Sequence, residues 1–398
     1  MKFTIDNIPF GIFSVNNSSK RLTTIIGDQV VDLHELAKLG YFDGLDIDKK
    51  VFKQEFLNEF IALGKAKTNA IRKHLQILLT DLRNIPRPVF HSVNSVELHL
   101  PVRIGDYTDF YSSEQHATNV GTMFRDPKNA LLPNWKHIPV AYHGRSSSIF
   151  VSGKNFHRPK GQINHDETKS PIFAPTARLD FELEMATVMG KGNEIGDSIG
   201  VNEAEEYVFG FQLLNDWSAR DVQKWEYVPL GPFLAKNFFS SVSPWVITIE
   251  ALENFRIPAP AQIPAVLPYL NEKNRLNFDV QLEVTLQTKD GESLVISRSN
   301  FKNMYWTVAQ QIAHHTVNGC NLNVGDLLGS GTISGSSPDS FGSLLEITWG
   351  GKNPIMLPDG TERKFLEDFD TLIISSFAEK DDLRIDFGEV RTMILPTK

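Results

Sequence analysis

A chain of 398 residues with 41% apolar and 22% charged side chains is long enough for two domains and needs no covalent staple. Its formal net charge of -8 and the lack of a basic run argue against nucleic-acid binding, and without a signal pattern or about 18 consecutive apolar residues, no secreted or membrane-spanning protein is expected. The single cysteine, Cys320, excludes an intrachain disulfide and a thiolate metal cluster, and it suits a reducing cytoplasm.

From Pro9 to Val15 and from Thr23 to Leu33, short β-rich runs separated by Asn, Ser, Lys and the Gly27-Asp28 pair predict hairpins of a small barrel or sheet. Two helical patterns follow. Phe52, Phe56, Phe60 and Leu63 form one, and Ile71, Leu75, Leu78, Leu79 and Leu82 form another with Thr68 or Asn69 as its cap. Ile85-Pro86-Arg87-Pro88 cannot continue a helix, and a domain boundary is placed near Leu100-Pro101, giving domains 1–100 and 101–398.

Beyond the boundary the chain reads as short apolar runs broken by Gly, Pro and Ser. Phe278 to Leu286 alternates up to the turn Asp290-Gly291 and resumes at Leu294, which predicts a long hairpin. Met304 to Val317 predicts a helix closed by Asn318-Gly319, while Leu344 to Thr348 and Thr371 to Ser375 read as strands. The larger domain is therefore mainly β with a few helices, as a roll or distorted barrel. Gly190 to Gly196 misses a dinucleotide fingerprint by its spacing, and His314-His315 point apart on a helix, as core or interface residues do. Gly331 to Ser337 reads as a flexible polar loop able to touch substrate.

The chemistry concentrates at Asp180-Phe181-Glu182-Leu183-Glu184-Met185, where acids alternate with apolar residues as on a strand with one carboxylate face. Crowded carboxylates repel one another unless a hard cation joins them or water reaches them, so the run fits either a metal site or an exposed edge strand. Three further stretches are dense in polar groups. They are Gly105 to Asn119 with Arg125, the run Leu213-Leu214-Asn215-Asp216 ending abruptly in an acid, and Gly231 to Phe238, which sets Lys236 in apolar surroundings. Asp109, Glu182, Glu184 and Asp216 together make an oxygen-only ligand set suited to calcium, magnesium or manganese. Tyr111, Arg125, Tyr142 and Lys236 are placed to hold a chelating substrate, and among these stretches His116 is the side chain whose type suits proton transfer near neutrality.

Ile104 to Ser113, Leu132-Pro133-Asn134-Trp135, Tyr142-His143-Gly144-Arg145, Asn215 to Asp221 and Ser330 to Gly335 resemble the fumarylacetoacetase type of the fumarylacetoacetate hydrolase family, over essentially the whole chain. The resemblance implies an SH3-like N-terminal barrel, a β-roll catalytic domain and a homodimer. It implies hydrolysis of a carbon-carbon bond in 4-fumarylacetoacetate, a diketo di-acid, to fumarate and acetoacetate at the end of tyrosine and phenylalanine degradation. By the same resemblance, Asp109, Glu182, Glu184 and Asp216 bind the metal, and His116, oriented by Glu346, activates water. Lys236 and Gln223 meet the developing charge, and Tyr111, Arg125, Tyr142, Gln223, Tyr227 and Thr332 contact substrate.

The family implies a second, magnesium site around Asp216, Lys236 and Ser240. There Phe239 replaces a glycine, and a side chain disfavours left-handed backbone. The nearest rival is an acylpyruvate hydrolase or a related decarboxylase or hydratase of the same superfamily. A non-catalytic scaffold is the rival of another class, and the presence of His116, Glu346 and Lys236 weighs against it.

Overall fold

The computed structural model describes residues 3–16, 18–164 and 170–398 of the chain; Asn17, in the first predicted turn, lies outside them. The N-terminal part is a small curled antiparallel sheet. Its strand order is Phe90–Ser92, Gln29–Asp32, Arg21–Ile26, Gly11–Ser14, Glu97–His99, and the predicted hairpin turns at Gly27, whose φ of 59° suits glycine. Its core, with Phe10, Phe52 and Phe60, runs on into Ala186, Val188, Phe209 and Val246 of the larger part.

Two of the helical readings there need correction. Phe52 and Phe60 lie on separate pieces, a 3₁₀ turn Lys49–Lys53 and a one-turn helix Asn58–Ile61, because Gln54 between them is extended. The next helix, Lys65–Leu78, starts at Gly64 with φ 86°, so Thr68 sits inside it and is no cap.

The larger part is built on two sheets. One is eight-stranded, with the order Ala141–His143, Tyr107–Phe110, Leu327–Gly329, Leu183–Met189, Val208–Asp216, Ser240–Val242, Ile149–Val151, and Ile247–Thr248 paired to Val208–Asp216. The other runs Ser293–Asn300, Gln281–Gln287, Thr371–Lys380, Leu383–Leu395, Phe156–His157 and contains the predicted hairpin. Trp217, Phe211 and Trp306 fill the core.

Four local readings change here. The predicted strand across 180–188 breaks after Asp180, which pairs with Ser218, and resumes at Leu183. Leu344–Ile347 is a helical turn rather than a strand: Ser343 Oγ caps it by accepting from Glu346 N at 3.3 Å, and Asp180 accepts from its first two N–H groups. The 331–335 run is buried rather than a free loop, since Gly331 sits where a Cβ would fall 2.2 Å from the Phe110 carbonyl oxygen. The helix expected over Met304 to Val317 is shorter, Val308–Thr316, because Thr307 and Gln310 form a capping box.

Candidate active site

Neighbouring strands deliver the acids to one place. Asp109 lies opposite Gly329 in the sheet, Glu184 follows on the next strand, and Asp216 ends the strand after that. Ligand oxygens of Asp109, Glu182, Glu184 and Asp216 all lie within 4.8 Å of one another, and all four residues are buried.

Half of this cluster is neutralised by the protein. Lys236 Nζ donates to Glu182 Oε2 at 2.5 Å and to Asp216 Oδ2 at 2.7 Å, and Arg220 Nη1 donates to Glu182 Oε1 at 2.6 Å. Burial works against charge on Lys236, but Asp216 and Glu182 outweigh it and raise its pKa, so the lysine keeps its proton. Burial likewise works against the Glu182 carboxylate, and Lys236 with Arg220 overcomes it, leaving the pKa well below the ordinary range.

The other half has no such cations. Asp109 Oδ1 and Glu184 Oε1 have no hydrogen-bond partner among the described residues. Burial, then Asp216 for Asp109 and Asp109 for Glu184, pushes both pKa values well above the carboxylate range. A Cβ on Gly329 would stand 2.8 Å from Asp109 Oδ1 and 3.1 Å from both Glu184 Oε2 and the Tyr107 hydroxyl, so only glycine leaves this space open. Orphaned hard oxygens in a cradle that a methyl group would fill are what a divalent cation requires, and these residues fit one.

Beside the acids lies a histidine–carboxylate pair. His116, on the helix Glu114–Phe124, has Nδ1 2.6 Å from Glu346 Oε2, and both residues are buried. Glu346 also accepts from Asn119 Nδ2 at 2.8 Å, Ser343 Oγ at 2.8 Å and Ser334 Oγ at 2.9 Å. Burial opposes its ionisation, yet His116 and these donors hold its pKa below the usual value. The Tyr111 ring stands edge-on to His116 at 5.2 Å.

The remaining predicted residues are spread around this centre. Tyr142 donates to Asp216 Oδ2 at 2.8 Å, Ser240 Oγ donates to Asp216 Oδ1 at 2.9 Å, and Gln223 Oε1 accepts from Arg220 Nη1 at 3.2 Å. The buried Thr332 hydroxyl has no partner among the described residues. Arg125 folds back onto the Ala130 carbonyl at 2.6 Å, and Tyr227 is 53% exposed. Phe239 is buried without positive φ and stacks on Phe156 at 4.7 Å, so the backbone geometry anticipated there is not used.

Sequence reading missed Arg220, Asn119, Ser334 and Ser343. Signals existed for two of them: Ser343 and Glu346 have the spacing of a capping box, and Asn119 follows His116 by three, on the same helix face.

Models for the fumarylacetoacetase N-terminal and fumarylacetoacetate hydrolase C-terminal domains match residues 6–101 and 106–394. The chain is 50% identical to an Arabidopsis thaliana fumarylacetoacetase over 405 residues, covering 99% of this chain and 96% of that one. A Homo sapiens fumarylacetoacetase is 49% identical over 403 residues, covering 99% and 96%. Among solved structures, a fumarylacetoacetate hydrolase from Exiguobacterium antarcticum superposes with a TM-score of 0.57 at 18% identity, covering 98% and 99%, which establishes a shared fold. A Sphingobium maleylpyruvate hydrolase solved with manganese(II) and pyruvate reaches 0.53 at 14% identity, covering 98% and 100%. The chain belongs to the fumarylacetoacetate hydrolase family and is a hydrolase.

Proposed function

We propose that this enzyme adds water across a carbon-carbon bond of 4-fumarylacetoacetate to yield fumarate and acetoacetate, the last step of tyrosine and phenylalanine degradation. About half of all positions are shared with fumarylacetoacetases along nearly the full chain. The observation that carries the mechanism is the buried His116–Glu346 pair set beside the carboxylate cluster.

Glu346 accepts a hydrogen bond from Nδ1–H of His116, which leaves Nε2 free to accept a proton from water. The oxygen of that water adds to the carbonyl next to the fumaryl double bond, and the C–C bond breaks with its electron pair leaving on acetoacetate. Nε2 then returns the proton to that carbon. Lys236, Arg220 and Gln223 supply donors toward the developing negative charge. Arg125, released from Ala130, and Tyr227 would grip substrate from the rim, with Tyr111, Tyr142 and Thr332 lining the inner wall. A divalent cation held by Asp109, Glu182, Glu184 and Asp216 would supply Lewis acidity toward a diketone. Calcium, magnesium and manganese all suit this oxygen set. A second magnesium near Asp216 would have to draw on backbone oxygens, because Lys236 is cationic and Ser240 Oγ is engaged with Asp216.

Two copies are proposed to pair, covering exposed apolar side chains such as Phe173, Trp225, Leu230 and Phe233. Light scattering should then return about twice the 44.8 kDa chain mass, and a monomer would refute it. A cytoplasmic site is supported by the single cysteine.

The functional test follows the diketone's ultraviolet absorbance and fumarate release, with and without chelator. Turnover that a chelator abolishes and that His116→Ala lowers by about 10²–10⁴-fold is expected. Hydrolysis of an acylpyruvate in place of fumarylacetoacetate would overturn the substrate, and full activity in the variant would overturn the base.

A further inference from the structure

Asp180 shares the sequence rhythm of the four clustered carboxylates and one of their cations, Arg220, but is not one of them. It is 0% exposed, the strand breaks after it, and its oxygens are not among those of the four acids that converge. Each oxygen accepts two N–H donors. Oδ1 takes Leu344 N at 2.7 Å and Phe181 N at 2.8 Å; Oδ2 takes Leu345 N at 3.0 Å and Arg220 Nε at 2.8 Å. A carboxylate has about four lone-pair sites, so Asp180 has none left for a metal, water or substrate.

Its partners belong to the two halves of the site. Leu344 and Leu345 open the helical turn whose third residue is Glu346, the partner of His116. Arg220 continues through Nη1 to Glu182 Oε1 and Gln223 Oε1. We propose that Asp180 is a positioning residue for the hydrolysis, one carboxylate that sets the Glu346-bearing turn and the Arg220–Glu182 pair in register with each other. This assignment rests on the roles given above to His116 and Glu346.

Only an acceptor on both oxygens satisfies these four donors. Asp180→Asn keeps the shape but turns an NH₂ toward N–H groups, so one arm must shift. A residue acting through Glu346 loses its influence once Glu346 no longer works, whereas general damage to the fold multiplies with any other lesion.

The test is a double-mutant cycle of D180N with Glu346→Gln, together with the downfield proton signal of the His116 Nδ1–H. D180N is expected to lower kcat about tenfold or more with KM within about twofold, to cost at least about threefold less in the E346Q background than in the wild type because only the Arg220 arm is left for it to disturb, and to move or erase that signal. Unchanged kcat, or equal losses in both backgrounds, with the signal in place overturns it. Should D180N not fold, Leu344→Pro removes one donor at the first helical position, after an extended Ser343 with ψ 153° that proline accepts. The same cycle then decides. A wild type inactive on fumarylacetoacetate refutes the substrate reading alone, because the proton signal still reports whether Asp180 holds the pair.

Discussion

The carboxylate cluster has two unlike halves. Glu182 and Asp216 are held by Lys236, with Arg220 on Glu182, whereas Asp109 and Glu184 each keep a buried oxygen without a hydrogen-bond partner among the described residues. All four acids are equally enclosed, so burial does not explain the contrast. The sources of positive charge do: the chain itself supplies two cations to one half and leaves the other to a charge from outside. A fully paired cluster would have no use for a metal, and a fully unpaired one would oppose folding before a metal arrived.

Supplying the missing charge should show the largest effect. A cation at a thousandfold excess over its Kd adds about 4.1 kcal/mol to stability, read as a rise in melting temperature against a chelated control. Gly329→Ala, with its methyl group 2.8 Å from Asp109 Oδ1, should lose most of that rise. An unchanged rise in G329A would mean that the ion binds elsewhere.

Substitutions in the two halves should then act in opposite directions when no metal is bound. Glu182→Gln replaces charged hydrogen bonds to Lys236 and Arg220 and should cost about 1.5–3 kcal/mol in denaturant melts. Asp109→Asn removes an unpaired buried acid and should stabilise the chelated protein by about 1 kcal/mol while abolishing the response to cation. Matching signs in chelator would dissolve the distinction between the halves.

The smallest effect concerns Glu272, a half-buried acid outside the cluster. Its carboxylate accepts from Thr307 Oγ1 at 2.5 Å, and burial raises its pKa to about 7. Between the ordinary glutamate value of 4.5 and about 7 the folded chain therefore holds a proton that the unfolded chain sheds. Its contribution to stability is complete below that window and is lost as pH rises through it. Glu272→Gln should flatten the slope across that window; an identical slope would mean that Glu272 titrates alike in both states.

Motif length made the family legible, together with the mainly β fold and the acids that converge. Arg220 was harder to foresee because a cation in a polar stretch looks solvated until three elements close around it. The turn at Leu344–Ile347 was misread because a short apolar run fits either period, although Ser343 and Glu346 carried the spacing of a cap.

By itself, the sequence determined which side chains could do chemistry: an all-oxygen metal set, one histidine suited to neutral pH and a single lysine in apolar surroundings. Tertiary structure alone decided their roles. Period two places Asp180, Glu182 and Glu184 on one face only while the strand continues, and the break after Asp180 assigns it to the Glu346 turn instead of the metal set. Likewise, a carboxylate's charge state depends on which cations share its enclosure, and these come from positions distant in the chain.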